Sequence, residues 1–338
     1  MLAVSKAPII HTHSYKKQRF QYIPFGSPTA YHDFVEKQCK SLFMGNQQTL
    51  EVIIKNAQTR IVKSSDWYGN PPPTSMKDLE AHRYFGKMEL LDVIAPKIQK
   101  ELDRYTELVE DELLKRPQLS ANSKGLGVFS FDRAMMGLYK IPFTKGSSEL
   151  ERFHHQLKIE LGKDKATTVK NTHIYFENTL ASKPTLTLTL LAGANANIQG
   201  DSLYYVGIAV ALLTEYLESC HIGVAIDVLL GTSFGVHAIV SVIRVKRFED
   251  PLDVNQLLVL GSDPRYFRYN GFKGLIALAD YCGLNIPNGL GKIDDTIPKA
   301  YMEVTPDALL FNQSYSIDHA VKEVSRILLE YTKKTKVL

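Results

Sequence analysis

The chain has 338 residues, of which 44% are hydrophobic and 22% charged, and its formal net charge is +4 at pH 7. This composition is typical of a globular protein, and the length suggests one large domain with extensions or two packed units. No apolar run reaches the roughly 18 residues of a membrane helix, and the N-terminal residues lack the pattern of a signal peptide.

The three cysteines are widely spaced in the sequence, at Cys39, Cys220 and Cys282. None has a Cys or His neighbour at the spacing of metal ligands, so we expect neither a disulfide framework nor a zinc site. A reducing compartment is consistent with this use of cysteine. We therefore expect a cytoplasmic protein with no membrane partner.

Basic residues are concentrated at both ends of the chain. The first 32 residues contain four Lys or Arg and no acid, and the last eight contain three Lys and no acid. We interpret residues 1–30 as a basic extended arm, and the C-terminus as a basic tail, either of which can follow a phosphate backbone. A solvated tail kept soluble by lysine is the alternative.

A mainly helical N-terminal region, packed on the core, is predicted for residues 31–150. A helix is expected from about Tyr31 to Phe43, while Leu50 to Val62 fits either a strand or a short helix. Pro and Gly residues make 64–73 a loop. A helical region is predicted from Ser75 to Pro117. A turn at Gly125–Gly127 then leads into a strand at Val128–Phe131, and a brief helix is predicted at Arg133–Leu138.

The remaining residues, 151–338, contain the most readable pattern. Leu186–Leu191 predicts a strand, Leu203–Ser219 a helix and Val224–Leu230 a second strand, which together form a parallel crossover unit. Ala238–Val245 follows after a loop too short for a crossover, so it should run antiparallel, at an edge. Later elements are predicted at Asp253–Leu260, Phe272–Cys282, Ala308–Phe311 and, as a C-terminal helix, from Ser316 or Asp318.

The predicted fold class is α/β, with an open, mostly parallel sheet flanked by helices, an antiparallel edge strand and a helical N-terminal region. The order of strand, polar loop, helix, parallel strand and antiparallel strand over residues 185–290 resembles the opening of von Willebrand A domains. In that family the polar loop reads Asp-x-Ser-x-Ser and holds a divalent cation. Here the corresponding residues are Gly193, Asn195 and Asn197. Because hard cations need charged oxygen ligands, we expect no metal and no cofactor.

A second resemblance is carried by Trp67-Tyr68-Gly69 and by the stretch from Phe131 to Gly137. Together they resemble uncharacterised tailed-phage proteins with a von Willebrand A-like core. In phages that encode their own RNA polymerase, some such early proteins are transcription cofactors that bind single-stranded DNA. The resemblance implies a viral protein of the host cytoplasm, whose partners are single-stranded nucleic acid and a phage RNA polymerase or another replication or transcription protein.

Three partial motifs for catalysis or metal binding are present, and each lacks a necessary part. Gly289–Lys292 ends like a phosphate loop, but Ile293 replaces the hydroxyl residue that would bind magnesium. His11–His13 and His154–His155 have no carboxylate or thiol at ligand spacing. Ser233 lies in Gly-x-Ser-x-Gly between two β-rich stretches, whereas a nucleophile elbow joins a strand to a helix. We therefore predict no catalytic residue and no enzymatic activity.

Clusters that combine basic and aromatic residues indicate nucleic-acid binding, because cations contact phosphates while rings stack on exposed bases. For each cluster, burial of the rings in the core is the alternative. The predicted stacking residues are Phe20, Tyr22, Tyr266, Phe267 and Tyr269. The predicted basic residues are Lys16, Lys17, Arg19, Arg244, Lys246, Arg247, Arg265, Arg268, Lys273, Lys333, Lys334 and Lys336.

Two functional hypotheses follow. The first is a non-enzymatic protein that binds single-stranded DNA and assists viral transcription or replication. The second is a von Willebrand A-like adaptor without metal, which uses the loops at the carboxyl ends of its strands, including Gly193–Gly200, to bind a partner such as an ATPase or a virion component. Both hypotheses leave self-association open.

Overall fold

The computed structural model describes residues 7–82, 89–108, 118–122, 128–129, 173–177, 184–220, 222–287, 290 and 296–337. The chain divides into two compact units, one formed by Met1–Leu114 with Pro184–Leu338 and the other by Lys115–Lys183. The boundary predicted at residue 150 therefore falls inside the second unit.

The described residues form the following helices and strands in chain order. They are β1 (His11–Tyr15), β2 (Gln18–Phe25), α1 (Pro28–Gln38), α2 (Met44–Val62), α3 (Met76–Glu80), α4 (Glu89–Leu108), β3 (Gln118–Asn122), β4 (Val128–Phe129), β5 (His173–Glu177), β6 (Thr185–Leu191), α5 (Tyr204–Ser219), β7 (Gly223–Phe234), β8 (His237–Lys246), α6 (Val254–Ser262), α7 (Phe272–Tyr281), α8 (Thr296–Val304), β9 (Leu309–Phe311) and α9 (Ile317–Val337). Single helical turns lie at Asp66–Tyr68, Gly200–Leu203, Pro264–Tyr266 and Phe267–Gly271, the last of π type.

The first unit is built on a six-stranded sheet in the order β1-β2-β8-β7-β6-β9. Strand β6 runs parallel to β7 and to β9, as β2 does to β8, while the β7–β8 and β1–β2 pairs are antiparallel. This confirms the predicted α/β class and the mostly parallel sheet. The crossover from β6 through α5 to β7 is also confirmed.

Strand β8 is antiparallel to β7, as predicted, but its predicted position at the edge of the sheet is wrong. Its outer side pairs with β2, from Arg19 opposite His237 to Phe25 opposite Ile243. The edge strand is β1 instead. Residues 11–25 are thus a β-hairpin of the sheet, and their interpretation as an extended arm is wrong. Phe20 and Ile23 explain the docking, because both are completely buried in the core.

The helices cover the sheet with faces that match their apolar periodicity. Helices α4, α5, α6 and α9 pack against one another. Helices α1, α2 and α7 form a second group. Helix α2 settles the ambiguity over Leu50–Val62, since Ile53 and Ala57 are buried four residues apart on one helical face. Along the described part of the chain, no helix combines the length and hydrophobicity needed to cross a membrane.

The described part of the second unit is a three-stranded antiparallel sheet in the order β3-β5-β4. Strand β4 confirms the start of the strand predicted at Val128–Phe131. The helix predicted at Arg133–Leu138 and the turn predicted at Gly125–Gly127 lie outside the described residues.

Candidate interaction surface at the carboxyl edge of the sheet

The strand order creates a switch point beside β6. Strands β7 and β9 flank β6 on opposite sides, and all three end at the same edge of the sheet, which we call the carboxyl edge. The loop after β6 and the loop after β9 diverge there. Open α/β sheets bind their ligands in the crevice at such a point.

In this protein the chain's own side chains fill that crevice. Gly193, at φ +93°, lies so close to Phe267 that a Cβ atom would come within 2.1 Å of the ring carbon Cζ. Gln313 Nε2 donates to the Gly193 carbonyl, and the Tyr315 hydroxyl donates to Gln313 Oε1 at 2.6 Å. Among the described residues, no group of three or more His, Cys, Asp or Glu could hold a metal ion.

The outer surface of the filled crevice is built around the chain's only tryptophan. Arg268, only 1% exposed, donates through Nη1 to the Trp67 carbonyl and through Nη2 to the Ile198 carbonyl at 2.6 Å. The Trp67 indole Nε1 donates to the Ala196 carbonyl at 3.3 Å. The Arg268 guanidinium lies 4.6 Å from the centre of the indole, and that of Arg60 lies 4.1 Å from it. We call Arg60, Trp67 and Arg268 the tryptophan clamp.

Burial and charge perturb the groups of the tryptophan clamp. Burial, and then repulsion by the Arg60 guanidinium, lower the pKa of Arg268 to about 10. Tyr68, Asp66 and Tyr315 act in the opposite direction on the pKa of Arg268. Within the described residues, the buried Nε of Arg268 has no hydrogen-bond partner. The clamp therefore carries positive charge that its surroundings only partly neutralise.

The two loops that bear the clamp are fixed to each other. The Asp201 carboxylate accepts from the Asn70 backbone N–H at 3.0 Å and from its side-chain Nδ2 at 3.1 Å. Arg265 donates to the Pro71 carbonyl and lies 3.7 Å from an Asp78 carboxylate oxygen. This leaves an exposed tip formed by residues 195–197 and 199. Trp67 Nε1 and Arg268 Nη2 donate to the Ala196 and Ile198 carbonyls of this loop.

A cleft of about 650 Å³ lies beside the clamp, at the C-terminal end of α2. Its lining is polar and holds two cations and one carboxylate. We call it the α2 cleft, and its residues are Asn56, Thr59, Arg60, Lys63, Ser64, Ser65 and Asp66.

The cluster at 265–273 was the strongest sequence argument for base stacking, and the structure contradicts it. Tyr266, Phe267 and Tyr269 are at most 4% exposed, so they belong to the core and their assignment as stacking residues is wrong. The Tyr266 hydroxyl is hydrogen-bonded to His32 Nε2 at 2.6 Å, and that of Tyr269 donates to Glu80 at 2.9 Å. Arg268 is buried as well, so its assignment as a phosphate contact is also wrong. Arg265 and Lys273 are partly buried; the ammonium of Lys273 lies 4.1 Å from the centre of the Tyr269 ring.

The other predicted basic–aromatic clusters are divided between core and surface. Phe20 is completely buried, and Tyr22 is half-buried and stacked on His11. Phe20 is therefore wrong as a stacking residue. Arg244 is bidentate to Asp227, through Nε at 2.5 Å and Nη2 at 2.9 Å.

Lys246 is 1% exposed and donates to the carbonyls of Val224 and Arg247, both at 3.0 Å, so its assignment to a phosphate is also wrong. The predicted basic residues that are exposed are Lys16, Lys17, Arg19, Arg247, Lys333 and Lys334. The side chain of Lys336 lies outside the described residues.

These exposed basic residues do not share one edge of the sheet. Lys16 and Lys17 form the β1–β2 turn, which the pairing of β2 with β8 places at the carboxyl edge. Arg247 follows β8 at the opposite edge, and Lys334 lies there too, since it donates to the Pro306 carbonyl before β9. The eight residues of β2 separate the two edges by about 25 Å at the usual strand rise.

Sequence reasoning missed the tryptophan clamp. Trp67 and Arg268 are about 200 positions apart in the sequence. The basic and aromatic residues around Arg268 predicted a nucleic-acid surface instead. The available signal was a single Trp in a loop dense in Pro and Gly, which indicates an ordered surface feature but not its partners.

Comparison with known proteins adds one match. Residues 172–338, just under half of the chain, match a family described as a domain of unknown function, DUF7192. No curated protein and no solved structure matches the chain. The matched region supplies β5 to β9 and Arg268. Trp67, Arg60 and the β1–β2 hairpin come from the segment before it.

Proposed function

We propose that this protein is a non-enzymatic adaptor that binds another protein through the carboxyl edge of its sheet. The observation that carries the proposal is the tryptophan clamp, an indole at the surface that contacts two guanidinium groups and joins two loops. Trp, Tyr and Arg are the residues that dominate the binding energy of protein interfaces.

The filled crevice supports a protein partner over a small ligand. Because Phe267 and Gln313 occupy the switch point, a partner has to be recognised on the outer surface. That surface is ordered by hydrogen bonds between loops, so binding costs little additional conformational entropy. The three cysteines are free, which suits the reducing cytoplasm that we propose as its location.

The adaptor proposal is tested by capturing the partner with the tagged, full-length protein from nuclease-treated lysate of the source cells. One stoichiometric protein should be captured by the wild type. Asn197→Arg places a long charged side chain on the exposed tip and should weaken binding of the purified partner at least tenfold.

The matched control is Thr29→Arg, an exposed position in the first turn of α1, beyond the opposite edge of the sheet. It should bind the partner like the wild type. Equal binding by Asn197→Arg, or capture that disappears on nuclease treatment, would count against an adaptor at this surface.

A second candidate is the binding of single-stranded nucleic acid as a transcription or replication cofactor, the role that the phage resemblance implies. The specific observation in its favour is the exposed group of Lys16, Lys17 and Arg19 at the carboxyl edge. Phosphate contacts of this kind produce affinity that falls steeply with salt.

Fluorescence anisotropy with a labelled single-stranded oligonucleotide, measured across a salt series, tests this second candidate. Binding should weaken as salt rises and should weaken further in the Lys16→Gln, Lys17→Gln double variant. Absence of binding at low salt, or binding without a salt dependence, would exclude it.

A further inference from the structure

We infer that the α2 cleft receives a carboxylate of the partner protein, so that the partner's binding segment is acidic. This inference rests on the proposed adaptor function and specifies the chemistry of its partner. It concerns a site that the clamp borders but does not fill.

The cations of the α2 cleft are Arg60, which belongs to the tryptophan clamp, and Lys63, which is exposed. The Arg60 guanidinium is half-buried and lies over the indole of Trp67, 4.1 Å from the ring centre. Among the described residues, the Arg60 guanidinium donates no hydrogen bond and forms no ion pair with a carboxylate, and the same is true of the Lys63 ammonium. Ser64 adds a hydroxyl to the lining.

A bound carboxylate would relieve an unfavourable interaction that the structure contains. Arg60 and Arg268 lie near the same indole, and their repulsion contributes to the lowered pKa of Arg268. Negative charge beside Arg60 offsets that repulsion. Hydrogen bonds between a guanidinium and a carboxylate are also among the strongest that proteins form.

The cleft favours an acidic protein segment over a nucleic acid. The two cations of the lining, partly offset by the carboxylate of Asp66, can pair with one side-chain carboxylate and do not match the regular charge of a phosphate backbone. The volume of about 650 Å³ lies in the range of about 300–1,000 Å³ typical of ligand sites.

Three labelled probes test the inference by fluorescence anisotropy with the full-length protein. They are a peptide of alternating Glu and Gly, a matched peptide of alternating Gln and Gly, and single-stranded oligothymidine. The variants are the Arg60→Gln, Lys63→Gln double variant and, as a control, Lys55→Gln, an exposed lysine of α2 outside the cleft. Circular dichroism establishes that each variant folds.

The Glu peptide should bind the wild type and the Lys55→Gln control equally, and the double variant at least about tenfold more weakly, as expected for loss of a charge-assisted hydrogen bond. The Gln peptide should not bind. The inference is overturned if the Glu peptide binds no better than the Gln peptide, or if the double variant binds it like the wild type. It is also overturned if only oligothymidine binds and the double variant loses that binding.

Failure of this inference is distinguishable from failure of the adaptor proposal. A captured partner that is lost with Asn197→Arg but kept by the Arg60→Gln, Lys63→Gln double variant would leave the adaptor standing and remove the carboxylate site. Capture of no partner by the wild type would remove the adaptor itself.

Discussion

A single buried residue of α7, Asp280, joins this helix to the α1–α2 connection. It is 3% exposed, and its carboxylate accepts from Gln38 Nε2 at 2.7 Å, from the Phe43 backbone N–H at 2.8 Å and from Asn46 Nδ2 at 2.9 Å. Three donors converge on two acceptor oxygens. A side chain with fewer acceptor positions cannot satisfy all three.

Asp280→Asn should therefore lower the free energy of unfolding by about 1–3 kcal/mol, because its amide N–H group has to face at least one buried donor. Urea denaturation measures the change. Asp307→Asn, at an exposed position, is the matched control and should change stability by less than about 0.5 kcal/mol. Equal effects of the two substitutions would mean that the Asp280 network contributes nothing.

Gly193 tests whether the crevice at the switch point is filled as described. Gly193→Ala combines a left-handed φ of +93° with a methyl group directed into the Phe267 ring, and should cost about 3 kcal/mol or more. Gly283 has a similar φ of +71° with no neighbour within 4 Å of the added methyl. Gly283→Ala should thus cost only about 1 kcal/mol, the conformational part alone. Urea unfolding of both variants gives the comparison, and equal losses would show that the ring does not occupy the crevice.

The β1–β2 hairpin is one structural element that is basic in sequence and still contributes to the core. Its charged residues, Lys16, Lys17 and Arg19, are exposed, while Phe20 opposite Ala238 and Ile23 opposite Ser241 are buried against the sheet. The hairpin also covers the side of β8 that would otherwise be an open edge, which protects β8 from pairing with other chains.

Phe20→Ala should lower the free energy of unfolding by about 3–5 kcal/mol, as for other completely buried phenylalanines. Its neighbour Arg19 is exposed, and Arg19→Ala should change stability by less than about 0.5 kcal/mol. Thermal and urea denaturation of both variants test the pair. A mobile arm, in contrast, would make the two substitutions equally harmless.

The whole molecule contains a set of buried tyrosines that couples its stability to alkaline pH. Burial raises the pKa of Tyr68 and of Tyr315 to about 12. The pKa values of further buried tyrosines are raised as well, chiefly by burial, and these are Tyr31, Tyr266, Tyr269 and Tyr301. In the unfolded chain these groups ionise near pH 10.

Because the folded pKa values lie above the unfolded ones, this stabilisation is complete below about pH 10 and is lost as pH rises through about 12. Arg268 and Lys273 act in the opposite direction, since burial lowers both pKa values, that of Arg268 to about 10, but they are two groups against six. Urea denaturation between about pH 8 and about pH 11 should show stability falling most steeply above about pH 10, where the unfolded tyrosines ionise. Part of the tyrosinate absorbance should rise only with unfolding; ionisation of all 17 tyrosines before unfolding would contradict the burial.

Much of the core could be predicted from local patterns in the sequence. The alternation in Thr185–Leu191, the helical periodicity of α5 and the short turn before β8 establish strand direction, because each depends on neighbours within a few positions. The same patterns could not place β2 beside β8, since that pairing joins segments more than 200 residues apart.

The sequence by itself determined the α/β class and the β6–α5–β7 crossover. Only the tertiary structure decided which basic and aromatic residues reach solvent. Arg268 and Tyr269 belong to a cluster with the composition of a nucleic-acid surface, yet both are buried. The Trp67 carbonyl accepts from Arg268, and Glu80 of α3 accepts from the Tyr269 hydroxyl. Burial depends on distant segments meeting, so composition along the chain does not reveal it.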